Sequence, residues 1–411
     1  MKKLKIGFVG SMNAMPMGYA LRFKNDGHDV RYIVEAAPDN YLMRPEHQYH
    51  EAIQYPYPDW VVEMPVKDSV PGHVFPAITY RAACQLMADR NVVFLNDYGI
   101  ALAGQMPSDA TLVALCSGAD LDVVCNYQAA WTNARAYPHR LVAPAVLAFS
   151  LVRAFNQRRG LKKCDVISYF PKGLNPVGDS IIDCVVRRNR TAKIVRRYDV
   201  NFAATGATFK PIVERRLTKI LVPVRFNISP YRGTALDIEY KGNDLIIGAL
   251  AKYRRRNPSI EVKFFLKGHA EDIHAARKMC KDLGLSGNVE WLAPVPLPSL
   301  MEYFYDCDVC IDQVGTHWMG AIGALGLYCG RPVIANARPD VFSKLWVAPN
   351  PILQATTADE IYEHLVKCED IAYRSTTGLR GHLFAKENLD IDVFYRRFVD
   401  ALNVSGRGAR A

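Results

Sequence analysis

The chain lacks any long apolar run. No window of its 411 residues approaches the roughly 18 uninterrupted apolar positions that a transmembrane helix needs, so we expect no membrane-spanning helix. The N-terminus, MKKLKIGFVGSM, places basic residues before an apolar stretch, but a glycine turn follows after only about five residues, too soon for a signal peptide. We therefore expect the first residues to form a strand of the fold, and the protein to be cytoplasmic.

Paired cysteines and metal-ligand spacings are also missing. The ten cysteines are scattered through strand-like and helix-like segments, which indicates a reduced protein. The sequence Cys307-x-x-Cys310 has no second pair to complete a zinc site. Two histidine pairs lack supporting carboxylates: His47-x-x-His50 and His269-x4-His274. We expect neither a metal nor a bound cofactor.

A dinucleotide fingerprint is missing as well. A Rossmann oxidoreductase needs G-x-G-x-x-G after its first strand and an acidic residue after its second. Glu35 stands near the place of that acid, but the first turn reads Gly10-Ser11-Met12. A nicotinamide-dependent enzyme is therefore disfavoured.

Basic residues are in excess. Lys and Arg number 51 against 41 Asp and Glu, a formal charge of +10, which favours nucleotide phosphates, acidic glycans or an anionic membrane without choosing among them. A helical segment that becomes strongly basic between Arg153 and Lys163 would lie on an anionic membrane at the cytoplasmic face, or hold an anionic acceptor. An ordinary solvated face explains it equally well. We expect no nucleic acid partner.

Short apolar runs alternate with helical patterns along most of the chain. Runs such as Thr111–Leu115 are typical of strands in a parallel sheet that is covered on both faces. The alternation is clearer in the second half, where strands are predicted at Lys219–Val224, Glu261–Leu266, Val289–Leu292 and Val309–Asp312. This pattern predicts an α/β protein with two doubly wound domains. We place them at residues 1–212 and 213–378, followed by a C-terminal helix (379–405, with its core at Gly381–Leu402) that crosses back to the first domain, and a tail (406–411).

Residues 312–336, DQVGTHWMGAIGALGLYCGRPVIAN, form the most informative segment. They read as a strand end, a glycine-rich loop, a helix and a turn into another strand, which puts a helix N-terminus at the ligand-binding edge of a sheet. The segment resembles the donor site of GT-B glycosyltransferases, in particular the retaining glycosyltransferase family 4 (glycosyl transferases group 1), whose helix ends in EAMACGKPVI. Here residues 325–334 read LGLYCGRPVI, and Leu325 replaces the glutamate. The resemblance implies two Rossmann-like domains facing across a cleft.

The resemblance also implies residues that bind the diphosphate of a nucleotide sugar. In that family an arginine follows the first strand of the second domain, and a Lys-Gly pair precedes the next helix. Arg225 and Lys241-Gly242 match these positions, with a solvated basic loop as the alternative. Gly268 matches a glycine near the nucleotide. His269 would touch the diphosphate or the base, or is a surface residue.

The glycine-rich loop carries further implied donor contacts. Asp312 and Trp318-Met319-Gly320 match a subgroup pattern of DQ followed by WYG, although Asp312 alone could simply cap a strand end. The two glutamates of the wider family fall on His317 and Leu325. His317 is able to donate a hydrogen bond to the sugar, whereas Leu325 cannot bond a ribose.

In the first half, LCSGADL at residues 115–121 resembles the HGSDL segment of the family, which faces the donor sugar. The family histidine falls on Ser117, so a hydroxyl replaces an imidazole. Asp120 is the candidate for orienting the sugar or acting as a base, with an Asx turn or helix cap as the alternative. The Gly10-Ser11-Met12 loop resembles the acceptor-side loop of GT-B enzymes.

These features lead to one main hypothesis and one alternative. The resemblance implies a metal-independent, hexosyltransferase-like enzyme that moves a sugar from a nucleotide-diphosphate sugar to a hydroxyl of a cell-envelope glycan, polysaccharide or lipid-linked acceptor, with retention of configuration. The replaced histidine and glutamate leave a non-catalytic GT-B-like protein, binding a nucleotide or a partner, as the alternative.

Overall fold

The computed structural model describes residues 3–35, 37–38, 40, 43–64, 75–137, 139–189, 191–228, 240–316 and 318–404. Packing divides the chain into two compact units. Unit 1 holds the described residues up to Tyr198 together with those from Ile391 onward, and unit 2 spans Asp199–Asp390. Each unit is built around a parallel sheet of its own.

Among its described residues, unit 1 forms a seven-stranded parallel sheet in the order β3-β2-β1-β4-β5-β6-β7. The strands are β1 (Lys5–Val9), β2 (Asp29–Val34), β3 (Val61–Glu63), β4 (Val92–Leu95), β5 (Thr111–Leu115), β6 (Val166–Tyr169) and β7 (Lys193–Arg196). The helices are α1 (Met15–Asn25), α2 (Pro45–Gln48), α3 (Pro76–Thr79), α4 (Arg81–Leu86), α5 (Ala119–Asp122), α6 (Tyr127–Ala136), α7 (Ala143–Leu161) and α8 (Pro176–Val186), and the C-terminal helix is Ile391–Val404. Short 3-10 turns lie at Met12–Ala14 and Asp97–Leu102.

Aromatic side chains hold the centre of unit 1. Phe8 of β1 pairs in register with Phe94 of β4, and their rings stack with centroids 4.7 Å apart. Phe398 of the C-terminal helix packs its ring edge-on against Phe94 and against Tyr19 of α1. The last helix is therefore part of the core of unit 1.

Unit 2 repeats the arrangement with six strands in its described part, in the order β10-β9-β8-β11-β12-β13. The strands are β8 (Lys219–Val222), β9 (Glu261–Phe265), β10 (Val289–Leu292), β11 (Val309–Ile311), β12 (Val333–Ala335) and β13 (Leu353–Gln354). The helices are α9 (Asn243–Arg256), α10 (Ala270–Asp282), α11 (Leu297–Asp306), α12 (Ala321–Tyr328), α13 (Pro339–Leu345), α14 (Ala358–Lys367) and α15 (Ile371–Asn388). All pairings are parallel, and the order is that of a dinucleotide-binding sheet.

The predicted α/β architecture with two doubly wound sheets is confirmed. Three edge strands were not predicted: β3, β7 and β13, the last of which is only two residues long. β3 lies in a stretch rich in Tyr, Pro and His that we predicted to be loops, part of which is outside the described residues, and β7 lies in a basic run. Charged residues are common on edge strands because they discourage pairing with another chain, and they hide the apolar alternation.

The predicted helix Gly381–Leu402 was wrong in its bounds. Two helices, α15 and Ile391–Val404, meet near Leu389, and the division between the units falls at that break. Within the part of the chain that the structure describes, no helix is both long enough and apolar enough to cross a membrane. The predicted tail, residues 406–411, lies outside the described residues.

Candidate functional site

The strand order of unit 2 places its candidate site. Chain connections leave β8 and β11 in opposite directions, and open α/β sheets bind ligands at the carboxyl ends of two such neighbouring strands. Arg225 follows β8 and is exposed, while Asp312 directly follows β11. We call the loops at these strand ends, with the start of α9, the unit 2 edge.

A buried asparagine joins the parts of this edge. The Asn243 side chain accepts a hydrogen bond from the Asn227 amide at 2.9 Å and donates to the Arg225 carbonyl at 3.3 Å. The amide of Lys241 donates to the Asn227 carbonyl, and the Lys241 carbonyl accepts from Val314 at 3.1 Å. The predicted phosphate ligands Arg225 and Lys241 are therefore held on adjoining loops. Asn243 was not among the predicted site residues.

The conformation and surroundings of Gly242 show why a glycine follows Lys241. Its backbone is left-handed, with φ of +74°, at the N-terminus of α9. A Cβ at this position would lie 2.5 Å from Cγ2 of Val314 and 3.2 Å from the Gly315 amide nitrogen. Any side chain would separate α9 from the loop after β11. The glycine thus allows Lys241 to approach that loop closely.

A third cation joins the edge from the loop after β9. Gly268 has φ of +137° and forms a parallel bridge with Phe226, and a Cβ on it would lie 2.4 Å from the Phe226 carbonyl oxygen. The Phe226 amide donates to the Lys267 carbonyl at 2.6 Å. Burial lowers the pKa of Lys267, and the charge of Arg225 lowers it further. The backbone bond between Phe226 and Lys267 places the two cations on neighbouring loops. His269 is exposed, at the first position before α10.

Lys267 directly precedes the predicted residues Gly268 and His269, but it was not itself predicted as a site residue. Its position before Gly268, at the carboxyl end of a strand beside β8, was the signal that would have identified it. The described part of the edge therefore carries Arg225, Lys241 and Lys267.

Asp312 caps a helix. Its carboxylate is buried and accepts hydrogen bonds from the amides of Gly320 and Gly323, the latter at 3.1 Å, at the N-terminus of α12. Burial raises the pKa of Asp312, whereas backbone donors and the nearby charge of Lys241 lower it. These contacts support the capping alternative for Asp312 and show that Lys241 lies near it.

The remaining predicted donor residues of this loop lie mostly inside unit 2. Trp318 and Met319 are buried, and the indole of Trp318 stacks on Phe342 with centroids 5.9 Å apart. Leu325 is buried among apolar residues of α12. Gly320 is half-buried beside Asp312, and His317 lies outside the described residues. Gln313, next to Asp312, donates to the Trp318 carbonyl, so polar groups of the edge contact this set at Trp318 as well as at Gly320.

The carboxyl edge of unit 1 is organised by another buried amide. Asn96, after β4, accepts a hydrogen bond from the Met12 amide at 2.8 Å and donates to the Leu115 carbonyl at 2.6 Å and the Ser117 hydroxyl at 3.4 Å. The Ser117 hydroxyl also donates to Sδ of Met12 at 2.9 Å. The predicted acceptor-side loop and the predicted sugar-facing loop are therefore in contact, through Asn96, which was not predicted.

Strained backbone is concentrated at the same edge. Asn13, Ala14 and Asp97 have φ values of +56°, +51° and +48°, a region that side chains with a Cβ rarely adopt. They follow β1 and β4, the two strands where the sheet order of unit 1 reverses. Gly10, with φ of +91°, lies so close to the Asn96 carbonyl that a Cβ would overlap it at 1.9 Å. Strain of this kind accumulates at functional loops.

Asp120 supports the loop that contains Ser117. Its carboxylate is fully buried and accepts hydrogen bonds from the amides of Ser117 and Gly118 at 3.0 Å. Burial raises the pKa of Asp120 to about 7, the charges of Asp97 and Asp122 raise it as well, and the two amides oppose the rise. Both donors precede Asp120 in the chain, so its carboxylate braces the loop before α5 and forms neither an Asx turn nor a helix N-cap, each of which accepts from a later amide.

Two predictions remain: the acceptor-side residue Ser11, and the expectation that the histidine pairs hold no metal. Ser11 is buried at the start of the turn Met12–Ala14, and no partner for its hydroxyl is found among the described residues. No cluster of three or more His, Cys, Asp or Glu side chains suited to a metal ion occurs in the described ranges.

Comparisons with known proteins address the fold. No protein-family model matches the chain, and no curated protein matches it in sequence. Among solved structures, sucrose-phosphate synthase from Thermosynechococcus elongatus superposes with a TM-score of 0.61 at 12% identity, covering 97% of this chain and 98% of that one. The Anabaena protein HepE, in complex with UDP and glucose, gives 0.61 at 14% identity over 97% and 99%. The chain has the GT-B fold.

The GT-B fold does not by itself fix the reaction. A putative UDP-N-acetylglucosamine 2-epimerase from Listeria monocytogenes also superposes with a TM-score of 0.55, at 10% identity over 97% of this chain and 96% of that one. At such identities the likeness establishes how the chain folds. The activity has to be argued from the residues at the two edges.

Proposed function

We propose that this protein is a glycosyltransferase that uses a nucleotide-diphosphate sugar. The observation that carries the proposal is that Arg225, Lys241 and Lys267 lie on adjoining loops at the switch point of the unit 2 sheet. A diphosphate is an anion that such a group of cations binds, and fixed charges there stabilise it as a leaving group. Solved neighbours that hold UDP, such as HepE, support a nucleotide ligand.

The cations, rather than the helix N-terminus of α12, carry the proposed phosphate contacts. Asp312 already accepts from two amides at that terminus, which leaves less room for a phosphate there. Lys241 offers a charge beside Asp312, and Gly242 permits its close approach. In this proposal the diphosphate lies against Arg225 and Lys241 and the base lies toward Gly268 and His269.

The unit 1 edge is the proposed site for the uncharged groups of the reaction, which are the transferred sugar and the acceptor hydroxyl. Ser117 supplies a hydroxyl, and the Gly10-Ser11-Met12 loop contacts it directly through Met12. Asp120 would hold this loop in place by its hydrogen bonds instead of removing a proton itself. The chemistry would be electrostatic: the sugar develops oxocarbenium character as the diphosphate leaves and the acceptor hydroxyl attacks.

The finer assignments are also proposals. A cell-envelope glycan, polysaccharide or lipid-linked molecule is the proposed acceptor, with retention of configuration, without a metal, and in the cytoplasm. TarM, a solved neighbour, has been described in complex with α-GlcNAc-glycerol and UDP, which supports a cell-surface acceptor by analogy. The anomeric configuration of the product, read by NMR, tests retention directly.

A second candidate function has its own support. Leu325 is buried and apolar where the family glutamate would hydrogen-bond a ribose, and the Asp120 carboxylate is engaged by its own loop. Both features suit a GT-B-like protein that binds a nucleotide or a partner without turning it over.

Titration with a panel of UDP-, GDP-, ADP-, dTDP- and CMP-sugars separates these functions. Ligand binding raises the melting temperature because it stabilises the folded state by RT ln(1 + [L]/Kd), and nucleotide release reports turnover. Loss of a charged contact in Lys241→Ala is expected to cost about 2 kcal/mol, or roughly thirtyfold in Kd. Lys281→Ala removes an equal charge from the exposed end of α10 and serves as the matched control.

The outcomes differ for each hypothesis. Stabilisation by one donor with release of its nucleotide, weakened only in Lys241→Ala, supports the transferase. Stabilisation without release, with candidate acceptors present, supports the binding protein. No response to any nucleotide rejects the phosphate site at the unit 2 edge.

A further inference from the structure

Unit 1 carries an unusual concentration of exposed apolar side chains on α6, on α7 and in the segment that joins them. Of the 17 large hydrophobic residues that are exposed in the described chain, eight lie between Tyr127 and Phe155. Six of these eight are the basis of the proposal: Trp131, Tyr137, Leu141, Phe149, Val152 and Phe155. We call these six the apolar surface.

On α7 the apolar residues form a stripe along the outer side. Ala145, Phe149, Val152 and Phe155 are exposed and recur every three or four residues, so they share one helical face. The opposite side is buried: Ala154, Gln157 and Leu161 are covered, and the Gln157 side chain donates to the Asp97 carbonyl at 2.6 Å. A helix at the surface of a globular protein normally turns its polar face to water, whereas α7 exposes apolar residues there.

The charge around this surface has one sign. Residues 126–163 contain seven Arg or Lys and no Asp or Glu. Two of the cations lie over exposed rings: Arg135 is 5.7 Å from the centroid of Trp131, and Arg158 is 4.6 Å from that of Tyr127. Trp and Tyr beside Arg and Lys form the combination that interfacial segments of membrane proteins use.

We propose that the apolar surface docks unit 1 onto an anionic lipid bilayer. Aromatic and aliphatic side chains would enter the boundary between headgroups and acyl chains, and the flanking arginines would bind the anionic headgroups. The basic run that the sequence showed at 153–163 supplies only part of this surface, because the exposed apolar residues begin one helix earlier, on α6. The proposal does not depend on the nucleotide site, since none of its residues lies in unit 2.

Vesicle flotation tests the proposal with the intact protein. The protein is expected to float with vesicles of phosphatidylcholine mixed with phosphatidylglycerol, and at least about tenfold less with phosphatidylcholine alone, because several cations act together. The double variant F149S/F155S is expected to weaken binding to the anionic vesicles about a hundredfold, roughly tenfold for each ring that no longer enters the interface. Phe149 and Phe155 are 37% and 57% exposed, so both rings present a substantial surface to solvent.

The matched control is L379S/L383S. Leu379 and Leu383 are each 47% exposed and lie four residues apart on α15 in unit 2. Their replacement removes a similar exposed apolar pair from another helix and is expected to leave flotation unchanged. A melting curve for each variant verifies folding.

A second variant, which changes charge instead of apolar surface, tests the proposal even if F149S/F155S does not fold. Arg140 and Arg159 are both exposed, and R140E/R159E is expected to reduce flotation with anionic vesicles by about tenfold or more. The control R255E/K281E makes the same charge change on exposed residues of α9 and α10 in unit 2. Equal losses in both charge variants would show only a non-specific effect of net charge and would overturn the assignment to this surface.

Tryptophan fluorescence locates the contact. Of the five tryptophans, all of them described, Trp131 alone is classed as exposed, at 50%. Brominated phospholipid is expected to quench the wild type and to quench W131F much less. Three outcomes overturn the proposal: no flotation with anionic vesicles, unchanged flotation of a folded F149S/F155S, or a wild-type dimer without lipid that this variant converts to monomer.

Discussion

Asp120 makes the stability of the protein depend on pH in a way that can be measured. Its carboxyl is fully buried, and burial raises its pKa from 3.8 to about 7. Between about pH 4 and pH 7 the folded protein therefore keeps a proton that the unfolded chain has lost. The free energy of unfolding is expected to fall as the pH rises through this window, and to stay level above it.

The size of the effect follows from the shift. One proton of difference corresponds to about 1.4 kcal/mol per pH unit, so the full shift corresponds to about 4 kcal/mol. From about pH 5 to pH 8 the expected loss is about 3 kcal/mol. Asp120→Asn carries no charge at any pH, and its amide oxygen is able to accept from the amides of Ser117 and Gly118. The variant should therefore lack this loss.

The assay is urea unfolding of both proteins at a series of pH values. Other titrating groups are common to the two proteins and cancel in the difference, which isolates residue 120. Asp109→Asn, at an exposed aspartate of the same unit, is the control and should follow the wild type. If the curves of wild type and Asp120→Asn stay parallel from about pH 5 to pH 8, the buried carboxyl is not protonated as argued.

Two further substitutions test the unit 2 edge. In Gly242→Ala, a residue with a Cβ must adopt a left-handed backbone, and the Cβ overlaps Val314. We expect the free energy of unfolding, measured by melting, to fall by about 2–3 kcal/mol, and nucleotide binding to weaken. Gly287→Ala, where a Cβ meets no atom within 4 Å, should change stability by less than about 1 kcal/mol; similar losses in both would refute the overlap. Asp312→Ala removes the cap of α12 and should cost about 1–2 kcal/mol in urea unfolding. An unchanged midpoint for Asp312→Ala would contradict the capping role.

The fold could be predicted from the sequence because its apolar runs are short and regularly spaced. Val289–Leu292 was predicted and found with the same bounds, and Lys219–Val224 differed only by two residues at its end. The prediction failed at β3, β7 and β13, where a strand at the edge of the sheet has less apolar sequence to reveal it. The prediction also missed the break near Leu389, because only two residues separate the two helices on either side of it.

The candidate site could be predicted only in outline. The motifs identified the loops after β8 and β9 and the start of α9, but the amides that hold the loops together, Asn243 and Asn96, were missed. Asn96 joins Met12 and Ser117 across separations of 84 and 21 residues, and no local pattern reports such contacts. Spacing also could not separate two roles for Asp312, since a strand-end carboxylate suits a ligand contact as well as a helix cap.

The two edges differ in charge, and in the proposed transferase this difference assigns donor and acceptor to different units. Both sheets reverse their strand order in the same way, so each offers a ligand site at the same place. At the unit 2 edge that place carries Arg225, Lys241 and Lys267, which suit an anion. At the unit 1 edge the side chains of Asn96, Ser117 and Met12 supply an amide, a hydroxyl and a thioether, and burial raises the pKa of Asp120 to about 7. A cation there, Arg197, is buried and already donates to the Cys116 carbonyl and the Ser168 hydroxyl. Such a set has hydrogen bonds for the hydroxyls of a sugar but little attraction for a phosphate, so charge alone favours the donor diphosphate in unit 2.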